Sequence, residues 1–201
     1  MVHELIKGRE FVLGSASPRR RDLLNIIGIE PLIITANCEE QVDGDNYDEM
    51  VLANSHAKNS AVREQYKGRG LVLTADTVVI CGDKVIGKPS GPDKAVEHLQ
   101  MLSGRKHEVK TGIVICDNMN NHSRMGVETT RVFFNSLTAK EIETYIETGE
   151  FFDKAGSYGI QGHASQFVSK IEGCYFNVVG LPIALFYNLI KGVLNDHQSA
   201  E

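Results

Sequence analysis

Two segments of the 201-residue chain bring together residue types that chemistry needs in one place. In the first, Phe11 to Leu13 reads as an apolar strand that breaks into Gly14-Ser15-Ala16-Ser17-Pro18-Arg19-Arg20. Ser17 followed by Pro18 reads as a helix N-cap with proline in the first turn. A helix start aims unpaired backbone N–H groups and the positive end of a dipole at one point. Hydroxyls at Ser15 and Ser17 and guanidinium forks at Arg19 and Arg20 add charge-assisted bonds, so phosphate oxygens are the natural occupant. The alternative is an ordinary capped helix with solvated arginines. The second segment is Leu71 to Ile80, an apolar, β-branched run that holds Asp76. Burying a carboxylate there is costly without a partner. Asp76 is therefore a candidate general base or magnesium ligand. Its alternative is a structural aspartate hydrogen-bonded at a strand end.

Weaker signals lie elsewhere. Glu39, Glu40 and Asp153 are further candidate carboxylates, although acidic residues near loops are usually only solvated. Lys58 falls near the small-residue face of a helix and by itself reads as a snorkelling surface lysine. Gly149 to Gly156 is dense in glycine and charge, which fits a lid or binding loop and equally an ordinary long turn. Gly82-Asp83-Lys84-Val85-Ile86-Gly87-Lys88 satisfies the GxxxxGK half of a P-loop, but Pro89 follows where the metal-binding hydroxyl belongs. Lys88 is thus a phosphate contact at most, not a P-loop lysine. The chain has no GxGxxG, GxSxG or HExxH, and its seven histidines form no ligand spacing.

The elements that must position these residues follow from periodicity. The pattern predicts a helix from Pro18 carrying Leu23, Leu24 and Ile27 and ending at Gly28, and a second from Asp48 to about Tyr66 with Val51, Ala57, Ala61 and Val62 inward. Gly82-Asp83 predicts a hairpin turn into Val85-Ile86. A helix with Ala95, Val96, Leu99 and Leu102 on one face follows Pro92. Strands at about 108–116 and 124–135 flank a polar turn, and Thr138-Ala139-Lys140-Glu141 is a capping box opening a helix that ends at Gly149. A loop over 150–162 leads to strands near 166–171 and 175–179, and Leu181 to Leu194 closes the chain as a core helix. This order of βα steps and hairpins predicts an α/β domain on a mixed sheet.

Composition sets the outer bounds. Hydrophobic residues make up 42% and charged residues 23%, which excludes a disordered or collagen-like chain and a disulfide miniprotein. Lys plus Arg (21) against Asp plus Glu (26) gives a net charge of −5, against the broad basic footprint of a nucleic-acid or membrane-surface binder. A length of about 1.3 typical domains predicts one domain drawn into two lobes. No apolar h-region opens the sequence, and Leu181 to Leu194 is too short to span a bilayer. Cys38, Cys81, Cys116 and Cys174 are far apart, fit neither a zinc site nor a disulfide framework, and read as buried thiols of a reducing cytosol.

Taken together, the segments resemble the Maf family of nucleoside triphosphate pyrophosphatases. The matching pieces are Gly14 to Arg20, Thr74-Ala75-Asp76-Thr77-Val78-Val79, Gly87-Lys88-Pro89, Leu102-Ser103-Gly104-Arg105, Asp153 to Gly162, and Asn177-Val178-Val179-Gly180-Leu181-Pro182. They run in order across about residues 11–190. The resemblance implies an elongated two-lobed α/β fold like that of the inosine triphosphate pyrophosphatases, with the active site in a cleft between the lobes. It implies hydrolysis of a nucleoside triphosphate to the monophosphate and pyrophosphate with Mg²⁺ or Mn²⁺.

Under the same resemblance Asp76 is the proton acceptor. Ser15, Arg19, Arg20, Lys58 and Lys88 line the phosphate site, and Glu40 matches a nearby acidic position, so Asp76 and Glu40 are the expected metal ligands. Arg19, Thr77 and Gln161 match the positions tied to base selection. Asp76-Thr77 with Ile160-Gln161-Gly162 resembles the branch acting on dTTP and UTP, since the 7-methyl-GTP branch carries Gln in place of Thr77. Phe151 departs from the family, where Pro often follows Gly-Glu. Two other readings are a non-catalytic nucleotide-binding regulator of cell division and a pyrophosphatase for non-canonical purine nucleotides. The expected partner is a nucleotide, with no nucleic-acid polymer or membrane. The expected state is a cytoplasmic enzyme, with a homodimer as the prior for its class.

Overall fold

The computed structural model describes residues 1–35, 38–41 and 46–195. Among them the helices are α1 (Val2–Leu5), α2 (Pro18–Ile26), α3 (Tyr47–Gln65), α4 (Pro92–Leu102), α5 (Ala139–Glu147), α6 (Tyr175–Val179) and α7 (Ile183–Asn195). The strands are β1 (Phe11–Leu13), β2 (Leu32–Ile33), β3 (Leu71–Cys81), β4 (Lys84–Ile86), β5 (Lys106–Asp117), β6 (His122–Phe134) and β7 (Val168–Glu172). They form one sheet in the order β2-β1-β3-β5-β6-β7, with β4 paired to β3. β1 is parallel to β2 and β3, whereas β4 on β3 and β7 on β6 are antiparallel. The fold is the expected mixed α/β sheet.

Contacts divide the chain into two compact units. One comprises Met1–Asp76, Thr111–Glu128 and Gly180–Glu201, and the other Thr77–Lys110 and Thr129–Val179. The long strands β3, β5 and β6 each pass from one unit into the other, and β3 does so between Asp76 and Thr77. In the first unit Phe11 of β1 meets Phe186 of α7 edge to face, with ring centroids 5.9 Å apart. In the second, His107, Phe134 and Tyr158 form an edge-to-face cluster that Phe167 and Tyr145 extend.

Local chemistry explains the element boundaries that matter. Asn46 caps α3 by accepting from the Asp48 and Glu49 amides. The turn after β3 holds just Gly82 and Asp83, since Cys81 pairs with Lys84, and Gly82 takes the positive φ (+62°) that such a turn requires. Thr138 and Glu141 complete the capping box of α5.

Helix α3 departs from the expected face. Val51 and Val62 are buried as the period predicts, but Ala57 is exposed and Ala61 half-buried. Their place is taken by Asn54, Ser55 and Asn59, all buried. These polar residues meet alternate positions of β3. Asn59 Nδ2 donates to the Val72 carbonyl (3.1 Å), and the Thr74 hydroxyl donates to the Ser55 carbonyl (2.7 Å). The apolar period fails here because the facing strand offers hydrogen-bonding groups, and burial follows the partner rather than the hydropathy.

Two other expectations are corrected. Residues 175–179 are not a strand but the short helix α6, on which Asn177 turns inward and donates to the Val109 carbonyl (2.9 Å) and Thr130 Oγ1 (3.0 Å). Of the four thiols, Cys81 and Cys116 are buried, whereas Cys38 and Cys174 are partly exposed; all four are unpaired.

Helix α3 lies close against β5. A Cβ at Gly112 would fall 2.6 Å from the Val51 carbonyl carbon and oxygen and 2.9 Å from the Leu52 nitrogen. Gly112→Ala should therefore cost about 1–3 kcal/mol in urea unfolding. Gly87→Ala, where nothing lies within 4 Å of the new methyl, should be close to neutral in the same experiment.

Candidate active site

In the first unit the charges converge on Asp76. Its carboxylate is 6% exposed within β3. Lys58, two-thirds of the way along α3, places Nζ 2.6 Å from Asp76 Oδ1 and 2.7 Å from Glu40 Oε1. The other Asp76 oxygen, Oδ2, accepts from Asn54 Nδ2 at 3.0 Å. Lys58 is thus no solvated surface lysine: its side chain is 13% exposed and its ammonium bridges two carboxylates. Asn54 is a member of the site that the sequence did not reveal. An asparagine in mid-helix resembles any solvated polar residue, and its only earlier trace is the four-residue spacing that sets it on the face of Lys58.

A second group stands beside the first. Arg20, in the first turn of α2, donates Nη1 to Ser15 Oγ (2.9 Å) and to the Ala75 carbonyl (2.9 Å), and Nε to the Gly180 carbonyl (2.9 Å). Ser15 Oγ also accepts from the Ser17 amide at 3.3 Å. Burial pushes the Arg20 guanidinium down to about 10 while the nearby Asp76 opposes the shift, so Arg20 stays charged at neutral pH. Ser17 is the N-cap of α2 as expected, but its side chain makes no capping bond. Arg19 is half-buried on the same turn.

Ser15, Arg19, Arg20, Glu40, Lys58 and Asp76 therefore all belong to the first unit. Thr77, Lys88 and Gln161 belong to the second. Thr77 is half-buried on β3, whereas Lys88 and Gln161 are exposed. Within that unit the Gly87 carbonyl accepts from the Gly156 amide (3.1 Å), which ties the Gly87-Lys88-Pro89 turn to the 153–162 loop. Glu39 is exposed, and Asp153 occupies a left-handed turn position with φ +59°. Among the described residues no three His, Cys, Asp or Glu side chains group as a metal site, so Asp76 and Glu40 stand as a pair of hard oxygen donors.

The family model described as Maf-like protein matches residues 10–193. A dTTP/UTP pyrophosphatase of Syntrophomonas wolfei is 46% identical over 89% of this chain and 94% of its own length. One of Carboxydothermus hydrogenoformans is 45% identical over 89% and 96%, and one of a Geobacillus species 43% over 91% and 97%. The chain belongs to the Maf family. Among solved structures the Staphylococcus aureus Ham1 protein aligns at 14% identity with a TM-score of 0.44, over 63% of this chain and 72% of its own.

In this Maf chain the loop that carries Gln161 is anchored by two buried histidines. His98 Nδ1 lies 2.7 Å from Ser157 Oγ, and His107 Nε2 lies 2.8 Å from the Tyr158 hydroxyl. Ser157 holds a left-handed φ of +61°, a conformation that these contacts have to maintain. At the loop's far side the Glu150 carboxylate accepts from the His163 amide (2.9 Å) and meets His163 Nδ1 (2.7 Å). Lys154 donates to the Glu150 and Phe152 carbonyls.

Burial lowers His98 and pushes His107 down to about 4, so both are neutral at pH 7. The unfolded chain, with histidine near 6.5, takes up a proton that folded His107 resists. The stability this contributes is complete above about pH 6.5 and is lost as pH falls toward about 4. Between about pH 7 and pH 5 the loss from His107 should be about 2 kcal/mol. Urea unfolding of His107→Phe at both pH values should show a stability difference smaller than the wild type's by that amount.

Proposed function

We propose that this protein hydrolyses nucleoside triphosphates, dTTP and UTP foremost, to the monophosphate and pyrophosphate. One observation carries the reading beyond family membership: a buried strand carboxylate, Asp76, whose two oxygens are held by different residues of one helix. A protein that merely bound a nucleotide would have little need of such a group, and this argues against the regulator.

In the proposed mechanism Ser15, Arg19, Arg20, Lys58 and Lys88 hold the triphosphate. Arg20 acts through its fixed charge and through Ser15, which it orients, since Nε and Nη1 are already engaged with protein oxygens. A water oxygen attacks the α-phosphorus while Asp76 takes a water proton. The bond from the α-phosphorus to the bridging oxygen breaks, and pyrophosphate departs with that oxygen. Thr77, Arg19 and Gln161 select the base, and the Gln161 amide both donates and accepts toward a pyrimidine edge.

The family's divalent cation, Mg²⁺ or Mn²⁺, supplies neutralisation of phosphate charge. Asp76 and Glu40 fit it: they are hard oxygen donors, and both carboxylates already converge on one cation, the Lys58 ammonium. Two carboxylates suffice for an ion that keeps waters and phosphate oxygens in its shell.

The four unpaired thiols support a reducing compartment, and we place the enzyme in the cytoplasm as a homodimer. No helix among the described residues is long and apolar enough to cross a membrane. The net charge of −5 supports a small nucleotide rather than a nucleic-acid polymer as partner.

Product analysis with Mg²⁺ should give TMP from dTTP, UMP from UTP, and pyrophosphate from both. Diphosphate plus phosphate would put the cut at the wrong bond and overturn the mechanism. Asp76→Asn should lose about 10²–10⁴-fold in kcat while nucleotide still binds. Gln161→Glu should change the ranking of UTP against CTP in the same assay, and an unchanged ranking would remove Gln161 from base selection.

A further inference from the structure

Asn54 makes three hydrogen bonds, all within the site. Its Nδ2 donates to Asp76 Oδ2 (3.0 Å) and to the Gln41 carbonyl (2.9 Å), and its Oδ1 accepts from the Gln41 amide (2.8 Å). The side chain is 3% exposed, so water does not substitute for these partners. Its orientation is forced. Two acceptors stand on the nitrogen side and one N–H on the oxygen side, so a flipped amide would set oxygen against oxygen twice. Both Nδ2 hydrogens are spent on these two acceptors.

The bonds to Gln41 close a two-bond ring between a helix side chain and an otherwise irregular segment. Residue 41 follows Glu40 directly, so the ring fixes the backbone that carries Glu40. The third bond fixes the rotation of the Asp76 carboxylate, leaving Oδ1 to Lys58. One amide therefore connects α3, β3 and the Glu40 segment at the point where their charged groups meet. An asparagine needed just to pair buried polar groups would not have to touch both carboxylate-bearing segments.

We propose that Asn54 is the positioning residue of this active site, holding the Asp76 carboxylate in the rotation, and the Glu40 segment in the place, that hydrolysis requires. The inference rests on Asp76 being the proton acceptor. Asn54 itself touches no reacting atom, and its effect is transmitted through Asp76 and the residue 40–41 backbone.

The test is a double-mutant cycle on the full chain, with kcat and KM for dTTP measured for Asn54→Leu, Asp76→Asn and the double variant. Asn54→Leu should lower kcat about 10–100-fold, the usual scale for residues that orient a reacting group, with KM kept within about threefold. In the Asp76→Asn background the same substitution should leave kcat unchanged, because the group it positions is gone. An equal loss in both backgrounds would mean a general structural role and overturn the proposal.

Should Asn54→Leu fail to fold by circular dichroism, Asn54→Asp carries the test. It keeps the shape and the acceptor for the Gln41 amide but loses the donor to Asp76. It should lose at least as much kcat, and wild-type turnover would overturn the proposal. The two readings fail separately. A fully active Asp76→Asn removes the base and the positioning role with it. An inactive Asp76→Asn beside fully active Asn54 variants removes the positioning role alone.

Discussion

A carboxylate buried in an apolar strand is the constraint from which the first unit follows. Asp76 lies in a run of Leu, Val, Thr and Ala, and leaving it there without partners would cost several kcal/mol. Helix α3 supplies hydrogen-bonded compensation, through Lys58 on one oxygen and Asn54 on the other, and the nearby Arg20 charge adds to it. This demand explains why the helix turns a polar face inward. Residues 54, 55, 58 and 59 are spaced one turn apart in two pairs, and β3 presents residues 72, 74 and 76 on one side by its two-residue repeat. Matching those repeats gives the ladder Asn59–Val72, Ser55–Thr74 and Asn54/Lys58–Asp76. A slide of the helix along the strand would break every rung, so the ladder fixes the register that delivers Lys58 to Asp76. Gly112 has the complementary task of letting the helix backbone approach β5.

The Ser15–Arg20 turn meets the same strand one residue earlier. Arg20 donates to the carbonyl of Ala75, next to Asp76 in the chain, so the proposed phosphate-binding turn and the proposed base share one stretch of β3 backbone. The consequence is a change in what Arg20 does. Its guanidinium is built into the protein as a positive charge and a support for Ser15, whereas a freely swinging arginine would lose side-chain entropy each time a nucleotide bound. Because Ser17 withholds its hydroxyl from the helix end, the first turn of α2 keeps backbone amides unclaimed by a side-chain cap.

Much of this was legible in the sequence, and the rest failed for definite reasons. Asp76 stood out by contrast with its neighbours, and Ser15, Arg19 and Arg20 by their density at a helix start. Both signals are local, so a linear reading captures them. Lys58, Glu40 and Asn54 carry no local signal, since each is an ordinary residue for a helix or loop. Their importance arises from contacts 13 to 22 positions away along the chain. The resemblance to the family supplied Lys58 and Glu40; nothing supplied Asn54. The same logic misled the reading of 175–179 as a strand, since the segment is a helical turn whose buried Asn177 finds its partners far away in the chain, at Val109 and Thr130. Hydropathy periods describe which face is apolar, and they fail wherever a buried polar partner waits on the other side.

The second unit shows how rigidity can be kept when a stiff residue is absent. Phe151 stands where the family resemblance leads one to expect proline, whose ring would limit the backbone directly. Here the side chain is 1% exposed and its ring lies 4.2 Å from that of Phe152, so packing anchors the start of the loop. From there Glu150 and His163 close the loop's ends, and His98 and His107 hold its middle at Ser157 and Tyr158. Proline restrains the unfolded chain as well as the folded one, whereas these contacts exist only in the folded unit. The restraint on the Gln161 loop is therefore conditional: it lasts as long as the aromatic cluster stays packed and its histidines stay neutral.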